Sequence, residues 1–157
     1  MSDFYLQFDG VTDDVYGKIR GANILGMKLK AVENCRREGV PVILVVTVVP
    51  GVNDHQLGEI VRFAMRNLDV VRGIVFQPFA KLGRFTEARH ISLAGLGKRL
   101  EEQLGFLSMY DLYPVPCPDL HCSAFTLLLV EDNRAVPLTR FLDVKTYLNS
   151  SANFNTA

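Results

Sequence analysis

"PVILVVTVVPGVNDHQLGEIVRFA" fills residues 41–64, and how it is read decides the fold. Its first part is an apolar, β-branched run interrupted by one hydroxyl, Thr47. Such a run reads as a strand covered on both faces, the pattern of a parallel sheet rather than of a half-solvated one. Pro50 and Gly51 end it. A helical stripe of Leu57, Ile60, Val61 and Ala64 follows, and Asn53 or Asp54 is suited to cap that helix. The segment is therefore a strand, a tight loop and a helix.

The same pattern extends in both directions. Upstream, "ILGMKLKAVENCRREG" (24–39) reads as a helix, with Leu25, Leu29, Val32 and Cys35 on one stripe and Gly39 at its stop. Before it, "FYLQF" (4–8) reads as a short strand. Downstream, "GIVFQPF" (73–79) is a strand that Pro78 terminates. Ser92 then caps "LAGLGKRLEEQL" (93–104), with Leu93, Leu96, Leu100 and Leu104 inward and Gly105 at the exit. The strand starts have the spacing of βαβ units. The expected fold is α/β: a partial TIM-type (βα) barrel of three parallel units over residues 1–105, with a C-terminal extension over 106–157. The alternative is a small three-layer sandwich completed by a C-terminal strand. The extension carries "YPVPCPDLHC" (113–122), a strand-like "AFTLLLVE" (124–131), a turn at "EDNRAVP" (131–137) and a short helical pattern at "LTRFLDVKTYL" (138–148).

Composition narrows the function. Among 157 residues, 17 Lys and Arg balance 17 Asp and Glu, which removes the electrostatic case for nucleic acid. The longest apolar run is too short to span a bilayer and contains Pro and Gly, so a transmembrane protein is not expected. The first residues lack the pattern of a signal peptide. Three cysteines, an odd number, argue against a secreted disulfide framework, and a reducing cytoplasm is the expected setting.

In parallel α/β folds, function gathers where the strands end. Three loops leave those ends: "DGVTDD" (9–14), "VPGVND" (49–54) and "PFAKLGR" (78–84), the last with Lys81 and Arg84. Each could be an ordinary turn, but three at one rim point to a ligand site. Asp9, Thr47 and Gln77 are expected there together, and Thr47 could equally be satisfied by a backbone carbonyl. His55 reads as a solvated surface residue and Cys35 as a core thiol. Cys117 and Cys122 flank His121 in a proline-bounded loop, a set able to ligate zinc or an iron–sulfur cluster, although the spacing is not that of a zinc ribbon. The alternative is two unrelated thiols.

"YLQFDGVTDDVYGKIRG" (5–21), "ENCRREGVPVILVVTVVPGVNDHQLGEIVRFA" (33–64), "VVRGIVFQPFAKLGR" (70–84) and "DLYPVPCP" (111–118) together resemble the second half of a radical S-adenosylmethionine enzyme. The nearest likeness is to the tetraether lipid synthases and the pterin methyltransferase-like proteins. The resemblance implies a partial barrel in which a 4Fe-4S cluster, held by a CxxxCxxC loop, reduces S-adenosylmethionine to a radical that abstracts hydrogen from substrate. This sequence contains no CxxxCxxC. The resemblance therefore implies a C-terminal fragment, inactive by itself, whose partner is the missing N-terminal half of the barrel or another subunit. It implies lipid chains as the parent substrate, joined by carbon–carbon bond formation, with a methylated pterin or a non-catalytic binding module as alternatives. By the same resemblance Asp9, Thr47, Val49, Phe76 and Gln77 would bind S-adenosylmethionine. Cys117 would ligate an auxiliary iron–sulfur cluster, with His121 and Cys122 near it.

Overall fold

The computed structural model describes residues 3–79, 90–115, 123–132, 134–144 and 146. Its centre is a parallel sheet of β1 (Phe4–Gln7), β2 (Val42–Val48) and β3 (Val71–Pro78). Spatial order follows chain order, β1-β2-β3. Register sets Gln7 beside Val45 and Thr47 beside Gln77. Helices α1 (Asp13–Arg20) and α2 (Leu25–Arg37) connect β1 to β2, α3 (Leu57–Met65) connects β2 to β3, and α4 (Leu93–Leu104) follows. The fold is α/β, consistent with a partial βα barrel.

The reading of residues 41–64 holds for element type and fails for coverage. Val42, Leu44, Val46 and Val48 are 0% exposed and pack toward the helices. Ile43, Val45 and Thr47, on the other face, are only half-buried. One face of β2 is thus covered and the other open among the described residues. Behind the covered face, Leu57, Ile60, Val61 and Ala64 of α3 and Leu96, Leu100 and Leu104 of α4 join one core with Leu6 and Phe8. Phe8 stacks on Phe63 with ring centroids 4.8 Å apart, close to the optimum for offset aromatic pairs.

Two helix starts illustrate local control. Ser92 caps α4 as expected, its hydroxyl accepting the Gly95 N–H at 3.1 Å. Neither Asn53 nor Asp54 caps α3, which begins after Gln56 without a side-chain cap. Those two side chains serve the loop instead. On α2, Val32 is buried and Cys35 half-buried against the core, but Leu29 is exposed, so the expected stripe is narrower than it reads.

Helix α1 was not anticipated, because only Val15, Tyr16 and Ile19 give it an apolar side. Asp13 and Asp14 lie at its N-terminus and Lys18 and Arg20 at its C-terminus, each complementing the helix dipole. Gly21 ends it in the left-handed region at φ 75°, a conformation that glycine takes without penalty.

Among the described residues the C-terminal extension adds no strand to the parallel sheet. Its strands form two separate antiparallel pairs, β4 (Tyr113–Pro114) with β5 (Ala124–Phe125) and β6 (Leu128–Glu131) with β7 (Arg134–Pro137). The described residues therefore do not form the sandwich alternative. "AFTLLLVE" is split between β5 and β6, and of the helical pattern at 138–148 the structure shows a 3₁₀ turn at Leu138–Arg140 and α-helical residues at Val144 and Thr146. The turn at "EDNRAVP" does reverse the chain, with Asp132 at φ 46°. Arg140 ties the far end of this extension back to its start. It pairs with the buried Asp111 at 2.6 Å and donates to the Phe106 carbonyl at 2.9 Å. The Arg140 hydrogen bond to its side chain holds the Asp111 carboxyl below the usual carboxylate range; burial opposes this and the Ser108 N–H adds to it.

Candidate functional site

The carboxyl ends of β1 and β2 meet at Asp9. Its carboxylate is fully buried and every partner it has is a donor. Oδ1 accepts from Gln7 Nε2 at 2.7 Å, from Arg20 Nη2 at 3.1 Å and from the Thr47 backbone N–H at 3.1 Å. Oδ2 accepts from Arg20 Nε at 2.7 Å. Arg20 reaches it from the last turn of α1, which explains why a helix follows β1 so closely. Gln7 lies two residues before Asp9 on the same face of its strand, as pleat geometry requires.

Gly10 has a packing reason. A Cβ there would lie 2.7 Å from Gln56 Oε1 and 2.8 Å from Val15 Cγ1, so only glycine lets α1 and the second loop close on the strand end. Tyr16, on α1, donates its hydroxyl to the Gly10 carbonyl at 3.1 Å. Burial pushes that phenol well above its ordinary pKa. The close approach that glycine permits is thus to this chain's own atoms.

The second loop is equally tied down. Asn53 is fully buried: Oδ1 accepts the Val49 N–H at 2.7 Å, and Nδ2 donates to the carbonyls of Asp9 and Thr47 at 2.8 and 2.7 Å. Gln56 accepts the Val11 N–H at 2.9 Å and donates to Thr12 at 2.7 Å. Asp54 accepts the Gly51 N–H at 2.8 Å and pairs with Arg99 of α4 at 2.9 Å. The amides and carboxylates of "GVND" are therefore structural clamps between β1, β2 and α4. Among the described residues no buried side-chain nitrogen or oxygen lacks a partner.

What remains for a ligand lies on the open face of the sheet. Thr47 is half-buried there, and Gln77 is exposed beside it in register, its side chain without a hydrogen-bond partner among the described residues. Ile43, Val45 and Val75 form an apolar floor below them, and Tyr5 is 64% exposed on the same side. Asp9, Thr47 and Gln77 do gather at one end of the parallel sheet, but only the last two present side chains to the open face. Val49 has its N–H taken by Asn53, and its carbonyl accepts from Val52 and Asn53 at 3.0 and 3.2 Å. Phe76 pairs with Val46 and packs against the core, on the covered side of the sheet. His55 is exposed, as expected. Lys81, Arg84, Cys117, His121 and Cys122 lie outside the described residues.

Sequence reading missed Gln7, Arg20 and Gln56 as members of this site and gave Asn53 or Asp54 the part of a helix cap. Gln7 could have been found from its period-two relation to Asp9. Arg20 carries no such signal, because a helix and a turn in space separate it from its partner.

Comparison with known proteins fits this frame. The chain is 40% identical over 175 residues to the 7,8-dihydro-6-hydroxymethylpterin dimethyltransferase of Methanocaldococcus jannaschii, an alignment that takes in 94% of this chain and 35% of that protein. The similarity supports the radical S-adenosylmethionine superfamily. That protein's name is of the pterin methyltransferase kind given above as an alternative, and the similarity gives no support to the tetraether lipid synthase grouping, to carbon–carbon bond formation or to a lipid substrate. The chain spans about a third of the relative's length. No family model matches the chain. Among the described residues no helix is long and apolar enough to cross a membrane.

Proposed function

We propose that this chain supplies the carboxy-terminal part of a radical S-adenosylmethionine enzyme that methylates a pterin, and that the open face of β1–β2–β3 is its share of the ligand surface. The observation that carries this reading is the 40% identity to a pterin dimethyltransferase, spread over 94% of the chain. Supporting it are a parallel sheet whose strand order follows chain order and a rim where polar groups end an otherwise apolar face. S-adenosylmethionine with a 4Fe-4S cluster supplies a radical able to abstract hydrogen when both are bound.

Among the described residues no group of three or more His, Cys, Asp or Glu could hold a metal ion, so these residues do not fit a cluster. They fit a hydrogen-bonding organic ligand. Thr47 and Gln77 would bind its polar atoms, while Ile43, Val45 and Val75 would bury its apolar part and exclude water. Asp9, Arg20 and Asn53 would keep the strand ends at fixed spacing. Asp9, the Val49 backbone and Phe76 then support the site without touching the ligand. Cys117, with His121 and Cys122, is proposed to ligate an auxiliary iron–sulfur cluster. The remaining barrel strands would come from a further part of a longer protein or from a partner subunit.

The test is an exchange. This chain replaces the matching third of the Methanocaldococcus protein, and the chimera is assayed anaerobically for 5′-deoxyadenosine and methylated pterin. Both products are expected from the chimera and neither from this chain alone. A folded, cluster-loaded chimera that forms no 5′-deoxyadenosine overturns the reading. Equal iron and sulfide content in the chimera and its Cys117→Ala, Cys122→Ala variant removes the auxiliary cluster.

A further inference from the structure

We propose that Thr47 is an obligate hydrogen-bond donor on the open sheet face, fixed in that sense by Gln7 and Arg20, and that the rim takes its ligand through an acceptor oxygen of carboxylate type. The inference rests on the reading of this face as the ligand surface.

The argument begins at Asp9. A carboxylate oxygen 2.7 Å from the Gln7 amide fixes which end of that amide faces it, because the amide oxygen would be repelled. Gln7 therefore turns Nε2 toward Asp9 and offers its second N–H to Thr47 Oγ1 at 3.2 Å. Arg20 Nη2 approaches the same hydroxyl oxygen at 3.4 Å, and a guanidinium can only donate. A hydroxyl has two lone pairs and one proton. Both lone pairs of Thr47 are engaged, so only the proton is left. Among the described residues it makes no hydrogen bond as a donor, and Asp9 Oδ1, which shares Gln7 and Arg20 with it, already receives three donors. The proton is directed to the open face.

Charge reinforces the polarity. Asp9 is 0% exposed whereas the Arg20 side chain is 37% exposed, so a ligand at the rim meets the cation while its countercharge lies buried behind it. Arg20 Nη1 has no partner among the described residues. Gln77, opposite Thr47 on β3, can turn its amide to suit an acceptor. A donor-only group such as an ammonium would find a donated proton and a guanidinium, and would be rejected.

The experiment titrates the full isotope-labelled chain with sodium formate, and separately with methylammonium chloride at matched ionic strength. The Thr47 and Gln77 amides and Arg20 Nε are followed by NMR. Saturable shifts are expected with formate and not with methylammonium. Thr47→Val, a strand-forming near-isostere, is expected to raise the formate midpoint about tenfold, the worth of one charge-assisted hydrogen bond. Thr47→Ser should keep it within about twofold, since the hydroxyl remains. Equal response to both ions, no saturable formate shift, or an unchanged midpoint in Thr47→Val overturns the proposal. A parallel titration with S-adenosylmethionine separates the two readings. A response that Thr47→Val leaves unchanged removes the donor role and keeps the cofactor site. A formate response lost in Thr47→Val, with none to S-adenosylmethionine, keeps the donor role and removes the cofactor site.

Discussion

The two faces of β2 are made of similar residues and live in different environments. Val42, Leu44, Val46 and Val48 are sealed under α3 and α4, while Ile43, Val45 and Thr47 look onto a face that the described residues leave open. The apolar side chains of the covered face hold the molecule together by burial. Those of the open face contribute little until something covers them. What stabilises the sheet and what can meet a ligand are thus separated by one residue of pleat.

This contrast can be broken by mutation. Leu44→Ala on the covered face is expected to lose about 2–5 kcal/mol in urea unfolding, through lost burial and the cavity left behind. Val45→Ala on the open face should lose less than about 1 kcal/mol, because a half-exposed valine gains little from folding. Equal losses would mean that the open face is covered in solution.

The rim comes next in size. Asn53→Ala strips one acceptor and two donor contacts, leaving the Val49 N–H and the carbonyls of Asp9 and Thr47 without that partner. A loss of about 2–3 kcal/mol is expected from unsatisfied buried polar groups. A loss below about 0.5 kcal/mol would show the clamp to be incidental.

Smaller still is the link between Asp111 and Arg140. The folded-state pKa of Asp111 is depressed, with the Arg140 hydrogen bond the first cause. Its contribution is therefore complete above about pH 4, near the unfolded carboxylate value, and is lost as pH falls through the depressed folded value. Because the Arg140 side chain is 44% exposed, screening limits the pair to about 1 kcal/mol. Unfolding at pH 7 and pH 3 should show a smaller difference for Asp111→Asn than for the natural chain. An identical pH dependence would assign the acid sensitivity elsewhere. Least of all, Gln77→Ala should change stability by no more than about 0.5 kcal/mol, as an exposed side chain without partners among the described residues. A larger loss would mean that Gln77 is structural after all.

The sequence by itself determined the order of strands and helices around residues 41–64, because hydrophobic periodicity, β-branching and breakers such as Pro78 and Gly105 are local signals. It also brought Asp9, Thr47 and Gln77 to one end of the sheet, since each lies at or near the end of its strand, ahead of Gly10, Pro50 and Pro78. Only the tertiary structure decided what those residues do. Arg20 reaches Asp9 because a helix too weakly apolar to be seen in the sequence folds back across the strand end. Asn53 bonds three backbone groups in place of capping a helix, because β1 brings the Asp9 carbonyl within its reach. Coverage of β2 was likewise undecidable from its residues: a valine is equally apolar whether a helix lies over it or not, and only the packing of α3 and α4 selects one face. Hydrogen-bond polarity at Thr47 is the clearest case, for a hydroxyl can donate or accept until its neighbours, Gln7 of β1 and Arg20 of α1, leave it one choice.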